Sequence, residues 1–292
     1  MKLFFHPDLW APRYAFETTR KPLWMIESLH ADPIDGINLT LCQPATISEI
    51  LGLHDEAYVN AVKTGGPLSL AQSQGFDWDE HIFPMALAAC GAMRDAALDA
   101  LAHGVSGSLG GGFHHAKRHR GQGCCTFQGV ILAARAALQR GCGRVLIIDL
   151  DAHCAGGTHS YLQDHEDIWQ LDMATSPVDG YRAVPPQTLD LLRDAAQYLP
   201  TLQRRLESLQ KTGPRFGLCL YKAGMDLYEG CDTGGLVGVS KEVLEQRERL
   251  VFSWCRAQHI PVAFTLAGGY TGPNLSQQEL VALHRITIQQ AS

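Results

Sequence analysis

Short apolar runs of strand character alternate with helical patterns along the whole of this 292-residue chain, and that alternation restricts what it can fold into. Lys2 to His6 reads as a first strand. Phe83 to Leu101 reads as a helix with Pro84 in its first turn, where a missing N–H costs nothing. Its Ala, Leu and Met residues lie nearly all round, as in a well-buried helix. Val130 to Arg140 is a second helix stopped by Gly141, and Arg144 to Ile148 is a buried strand. Thr188 to Gln210 is helical by pattern, with Pro200 a break or kink. Phe216 to Tyr221 is another strand. Lys241 to Gln258 sets Leu244, the stem of Arg247, Val251 and Trp254 on one face, behind Ser240 as N-cap. Pro261 to Leu266 is a strand opening with Pro, a tolerated position. The run Ser276-Gln277-Gln278-Glu279 is a capping box that starts the last helix. The expected fold is therefore α/β, a mostly parallel sheet flanked by helices on both faces. No linker-like segment divides the chain, so residues 1–292 are read as a single domain. Ligands in such folds bind beyond the carboxyl ends of the strands.

Charge and composition narrow the function classes. A formal net charge of −6 argues against a nucleic-acid binder. The one basic run, Lys117-Arg118-His119-Arg120, is short and reads as a solvated loop. No stretch approaches the roughly 20 apolar residues of a membrane span. Met1 to Phe5 is too short an apolar run for a signal peptide. The nine cysteines are an odd number without a Cys-x-x-Cys pair, which argues against a disulfide framework or a structural zinc finger. A reducing cytoplasm is the expected compartment.

Three strands end in reactive residues. The strand at 144–148 runs into Asp149-Leu150-Asp151-Ala152-His153, and residues two apart in an extended chain share a face. The strand at 216–221 leads to Lys222-Ala223-Gly224-Met225-Asp226, and that at 261–266 to Ala267-Gly268-Gly269-Tyr270. A glycine-rich loop, Gly110-Gly111-Gly112-Phe113-His114-His115, precedes the helix near 130. Two carboxylates and an imidazole on a rigid sheet edge suit a hydrolytic zinc site, which keeps three protein ligands and open positions for water and substrate. A tyrosine after a Gly-Gly turn can donate to a developing oxyanion, and adjacent histidines can serve as acid and base. Taken singly these signals are weak: Asp-x-Asp-x-His often caps a helix, and Gly-Gly-Tyr is usually a turn. All four in one order, each at a strand end or glycine-rich loop, are far more specific.

Gly110 to Ala116, Ile148 to His153, Ala223 to Gly230 with Gly234-Gly235-Leu236, and Ala267 to Thr271 together resemble the zinc-dependent histone deacetylase superfamily, above all its class IV members and their bacterial relatives. The resemblance runs from His6 to Tyr270 and is strongest from residue 104 onward. It implies the arginase/deacetylase fold. It implies zinc, or ferrous iron in its place, on Asp151, His153 and Asp226. His114 and His115 match the family's tandem histidines, with Asp149 the carboxylate that holds His114 in one tautomer, and Tyr270 matches the tyrosine that polarises the substrate carbonyl. A structural potassium ion is implied beside the zinc, partly on backbone carbonyls of Asp149, Asp151 and His153. Gly123, Cys124, Gly268 and Gly269 fall where substrate binds, and Tyr181 is assigned as the wall opposite Cys124.

Three departures stand out. The family's second histidine pairs with an Asp or Asn three residues beyond the ligand histidine, where this chain has Gly156. His115 is therefore expected to lack its carboxylate partner. Cys124 stands where the family places a phenylalanine tunnel wall, and Gln128-Gly129 replaces a polar pair. The implied reaction is hydrolytic removal of acyl groups from lysine in a protein or peptide, or from a small acyl-amine such as a polyamine. Two rivals remain. A binuclear arginase-like hydrolase carries a further Asp two residues after the ligand histidine, and here Ala155 stands there. A metal-binding module that recognises acyl-lysine without turnover is the other, motivated by Gly156 and Cys124.

Overall fold

The computed structural model describes residues 1–13, 17–163 and 165–292. Among them, eight strands form one all-parallel sheet: β1 (Lys2–Phe5), β2 (Asn38–Leu41), β3 (Val105–Ser108), β4 (Val145–Asp149), β5 (Ile168–Ala174), β6 (Thr188–Leu191), β7 (Leu218–Ala223) and β8 (Val262–Leu266). Their spatial order is β2-β1-β3-β8-β7-β4-β5-β6. The helices are α1 (Glu17–Ala31), α2 (Ile47–Leu51), α3 (Glu56–Thr64), α4 (Leu68–Ala71), α5 (Ile82–His103), α6 (Gly129–Gln139), α7 (Gly156–Leu162), α8 (Tyr198–Thr212), α9 (Lys241–Ala257) and α10 (Gln277–Ala291). None of the described helices is long and apolar enough to cross a membrane.

Successive side chains of a strand point to opposite faces, and here both faces are covered. Val145, Ile147, Leu218 and Leu220 join one apolar cluster with α5 and α6. Leu146, Ile148, Cys219 and Tyr221 join the other, with α1, α8, α9 and α10. Two-sided burial explains why β4 is apolar without alternation, each buried Val, Leu or Ile contributing about 1.5–3 kcal/mol. Helix α5 is buried nearly all round, as its composition predicts. Helix α10 opens on the expected capping box, with Ser276 and Glu279 each accepting from the other's backbone N–H.

Two expectations are corrected. The segment from Thr188 to Gln210 is not one helix. Thr188–Leu191 pairs with Leu171–Ala174 as the edge strand β6, and the helix begins at Tyr198. Pro200 then sits in the first turn of α8, where its missing N–H has no intrahelical partner to lose. Arg247 buries its whole side chain, guanidinium included, rather than its stem alone.

Strands β3, β8, β7 and β4 are neighbours in the middle of the sheet. Each runs at its carboxyl end into one of the four reactive segments, so the topology brings together residues up to 156 positions apart (His114 and Tyr270).

Candidate active site

Asp151 and His153 extend from β4, and Asp226 from the neighbouring β7. Potential ligand atoms of the three all lie within 4.8 Å of one another, and among the described residues this is the one such cluster of three or more. The His153 Nδ1 is 3.2 Å from Asp151 Oδ1 and 3.1 Å from Asp226 Oδ2. Burial works against an imidazolium here, but the two carboxylates outweigh it and raise His153 to about 10. Without a metal, then, a proton on His153 supplies the positive charge that the carboxylates demand. The outer oxygen of Asp151, Oδ2, accepts from Lys222 Nζ at 2.7 Å and from the Gly268 N–H at 3.0 Å. Burial alone would raise Asp151; Lys222, His114 and His153 instead hold it well below the usual carboxylate range. Asp226 moves up, through burial and the charge of Asp151. A buried set of two carboxylates and one imidazole fits a divalent ion of the zinc type.

The tandem histidines lie beside this cluster with ring centroids 3.9 Å apart. His114 Nδ1 is 3.0 Å from Asp149 Oδ2, and its Nε2 is 3.6 Å from Asp151 Oδ1. His115 does not lack a carboxylate. Its Nδ1 is 3.1 Å from Oδ2 of Asp179, in the loop between β5 and β6. Asp179 also accepts from the Gly157 N–H at 2.9 Å and from Lys117 Nζ at 2.8 Å, which ties the basic run into the site. Burial would raise Asp179, but His115 and Lys117 lower it, so it is ionised. Gly156 explains the exchange: a Cβ there would come within 2.3 Å of the Asp179 carbonyl oxygen and 2.8 Å of its Cγ. Glycine makes the room that Asp179 fills. Burial, then the neighbouring His114, drive His115 down to about 4 despite Asp179, leaving it neutral and able to accept a proton.

Tyr270, Asp151 and His114 line one cavity of about 60 Å³, closed by apolar side chains such as Leu9, Met85, Leu109 and Phe127. Burial, Asp226 and Asp151 push the Tyr270 phenol well above its ordinary value, so it remains a donor. Lys21 also lines the cavity; it donates to the Ala267 carbonyl, and burial brings it down to about 8. Gly123, Cys124 and Gly268 form part of the wall. A Cβ on Gly268 would lie 2.2 Å from Asp226 Oδ2, so only glycine lets this turn reach the carboxylates.

Two expected wall residues are elsewhere. Tyr181 stacks on His159 at 4.1 Å and donates to Asp172 Oδ2 at 3.0 Å, away from the cavity. Gly269 lies outside the lining and faces Leu280 and His284, because its φ of +133° turns the chain back towards α10. Asp179, Lys222 and Lys21 escaped the sequence reading. Lys222 did carry a signal: a charged residue between an apolar strand and a ligand segment. Asp179 carried none, being 64 residues from its partner in a loop.

An acetylpolyamine aminohydrolase from Burkholderia pseudomallei shares this architecture, with a TM-score of 0.78 over 99% of this chain and 98% of that one, at 17% identity. The fold is accordingly the arginase/deacetylase fold. The family of the histone deacetylase domain matches residues 16–285. Histone deacetylase 2 of Arabidopsis thaliana is 31% identical over 238 residues, which cover 76% of this chain and 60% of that protein. An uncharacterized protein of Picosynechococcus sp. is 34% identical over 224 residues, 75% of this chain and 74% of its own length. The chain belongs to the histone deacetylase family, and it is a hydrolase of amide C–N bonds. With Asp179 in place, the departure at Gly156 gives no support to a module without turnover.

Three outcomes follow from this site. Binding of zinc should expel about one proton per ion near neutral pH, since His153 must lose its proton to become a ligand; calorimetry in buffers of different ionisation enthalpy reads this directly, and no proton release would mean that His153 is already neutral. In Asp179→Asn, His115 loses the charge that supports its protonated form. The acid limb of kcat/KM should move to lower pH while kcat falls about 10²-fold as the base loses its orientation. A pH–rate profile with an unmoved acid limb would remove His115 as its source. Gly156→Asp should lower activity by displacing Asp179.

Proposed function

We propose that the chain removes acyl groups from lysine side chains or small acyl-amines at a centre where Asp151, His153 and Asp226 hold one zinc or ferrous ion. The observation that carries this reading is the Asp151–His153–Asp226 cluster, whose Asp151 lines one narrow cavity together with His114 and a protonated Tyr270, with the neutral His115 next to His114. A divalent ion held there would polarise the scissile carbonyl and lower the pKa of water to about 7. His115 accepts the proton of the attacking water and returns it to the leaving amine. His114, held by Asp149, stands beside it and donates to the developing charge. Tyr270 donates its O–H to the carbonyl oxygen, a bond that strengthens as that oxygen becomes negative.

A potassium ion near Asp149 is a further part of the proposal. Asp172 pairs in register with Asp149, is fully buried, and its Oδ1 has no hydrogen-bond partner among the described residues. Burial and Asp149 raise it well above the usual carboxylate range, a position that a monovalent cation would relieve. The free thiols of all nine cysteines suit a reducing cytoplasm.

Asp226→Ala should lower metal content and turnover together, whereas Tyr270→Phe should cost about 10²–10³ in kcat with metal content unchanged. Metal analysis and steady-state kinetics on one acyl-lysine and one acyl-polyamine series check both. Full metal occupancy in Asp151→Ala, His153→Ala and Asp226→Ala alike would sink the ligand assignment, and an undiminished kcat in Tyr270→Phe would leave that residue a role in packing only.

Cys124 gives the cavity a smaller wall than an aromatic ring would, and the flexible Met85 also lines it. Acyl groups longer than acetyl should be accepted, and Cys124→Phe should cut their kcat/KM more than that of acetyl. Turnover of acetyl alone by both forms would end the idea.

A further inference from the structure

Behind the sheet, on the face away from the tandem histidines, the guanidinium of Arg247 is completely buried. It comes from α9 and reaches the roots of both ligand-bearing segments. Its Nη1 donates to the carbonyl of Gly224, two residues before Asp226, at 2.6 Å, and to the carbonyl of Leu150, immediately before Asp151, at 3.2 Å. Its Nη2 lies 3.6 Å from the sulfur of Met225, the residue next to Asp226. One planar cation thus joins the ends of β4 and β7 at the point where each leaves the sheet.

Such a cation is costly to bury unless it is paired. Glu248, the next residue of α9, accepts from Nε at 2.7 Å and also from Nη2. The same Glu248 oxygen accepts from the Tyr221 hydroxyl at 2.7 Å, and Tyr221 is part of β7 itself. The pair is therefore anchored to the strand whose end it clamps. Other bonds knit the two segments: the Ala152 N–H donates to Asp226 Oδ1 at 3.0 Å, and the Leu150 N–H to the Lys222 carbonyl at 3.1 Å. Arg247 reaches both from a helix packed on the sheet, and an arginine fork suits this because its donors diverge at fixed angles.

We propose that Arg247, with Glu248 as its counter-charge, is a positioning residue that sets the separation of Asp151 from Asp226 and hence the affinity of the centre for its divalent ion. The inference rests on the ligand assignment proposed above. It assigns Arg247 no contact with substrate or metal.

The test replaces the pair with neutral amides, Arg247→Gln with Glu248→Gln, which leaves no unpaired buried charge. Leu244→Ala, on the same helix and equally buried, serves as a control for lost packing. Metal-free unfolding midpoints and zinc affinity by chelator competition are measured for wild type and both variants. The expected result is a fall in zinc affinity of about tenfold or more in the double variant, with altered d–d bands in its cobalt(II) form. Leu244→Ala should lower the unfolding midpoint and keep its zinc affinity. Zinc affinity within twofold of wild type in the double variant overturns the proposal, as does an equal loss in Leu244→Ala. If the double variant does not fold, the single variant Arg247→Lys is read by the same criteria. Wild-type protein that takes up neither zinc nor ferrous iron overturns the ligand assignment itself and the clamp with it.

Discussion

Asp149, Asp151, Asp172 and Asp226 are buried in or just beyond the carboxyl ends of adjacent strands, and removing so many carboxylates from water is expensive unless cations meet them. The protein meets them with groups built into the sheet. Lys222, itself 2% exposed, stands 2.7 Å from Asp151 and 3.9 Å from Asp149. His114 and His153 supply the other partners at hand. Lys222 lies in β7 and His153 follows directly on β4, while the glycine-rich loop brings in His114, so the charge balance and the geometry of the centre are fixed together. What is left unbalanced is the demand that His153 satisfies with a proton and that a divalent ion would satisfy better.

The change from apolar to polar interior happens at one level across the sheet. Ser108, Thr265, Lys222, Asp149 and Asp172 are paired in register on five neighbouring strands. Below that level β4 and β7 are wholly buried; above it lies the chemistry. Ser108 and Thr265 both donate to the Gly110 carbonyl, which fastens the glycine-rich loop bearing the histidines to the same level. The depth of the site is thus set by strand register.

Much of this was legible because it is local. Asp149, Asp151 and His153 follow one strand at alternating positions, and Ser276 with Glu279 announces a helix within four residues. The parallel sheet follows from alternation. What escaped depends on the chain returning from a distance. Asp179 meets His115 across 64 residues. Tyr181, two residues on, turns with its loop towards Asp172 instead of the cavity, and nothing local signals that turn. The four residues of β6 merge into the helical pattern that follows because an edge strand this short has little periodicity of its own; its pairing with β5 decides the matter. The burial of the Arg247 guanidinium is not legible from its helix, because the carbonyls that make it tolerable lie 97 and 23 residues away.

The exchange between positions 156 and 179 bears on how such a site can change through descent. In the arrangement that the family resemblance implies, the carboxylate for the second histidine grows from position 156. Here it grows from 179, and the two cannot coexist, because a β-carbon at 156 would overlap the backbone and side chain of Asp179. A lineage passing from one to the other by single substitutions must cross an intermediate with the histidine unsupported, or one with two groups forced into the space of one. On this geometry the two positions act as one unit, because a β-carbon at 156 takes the space that Asp179 occupies here.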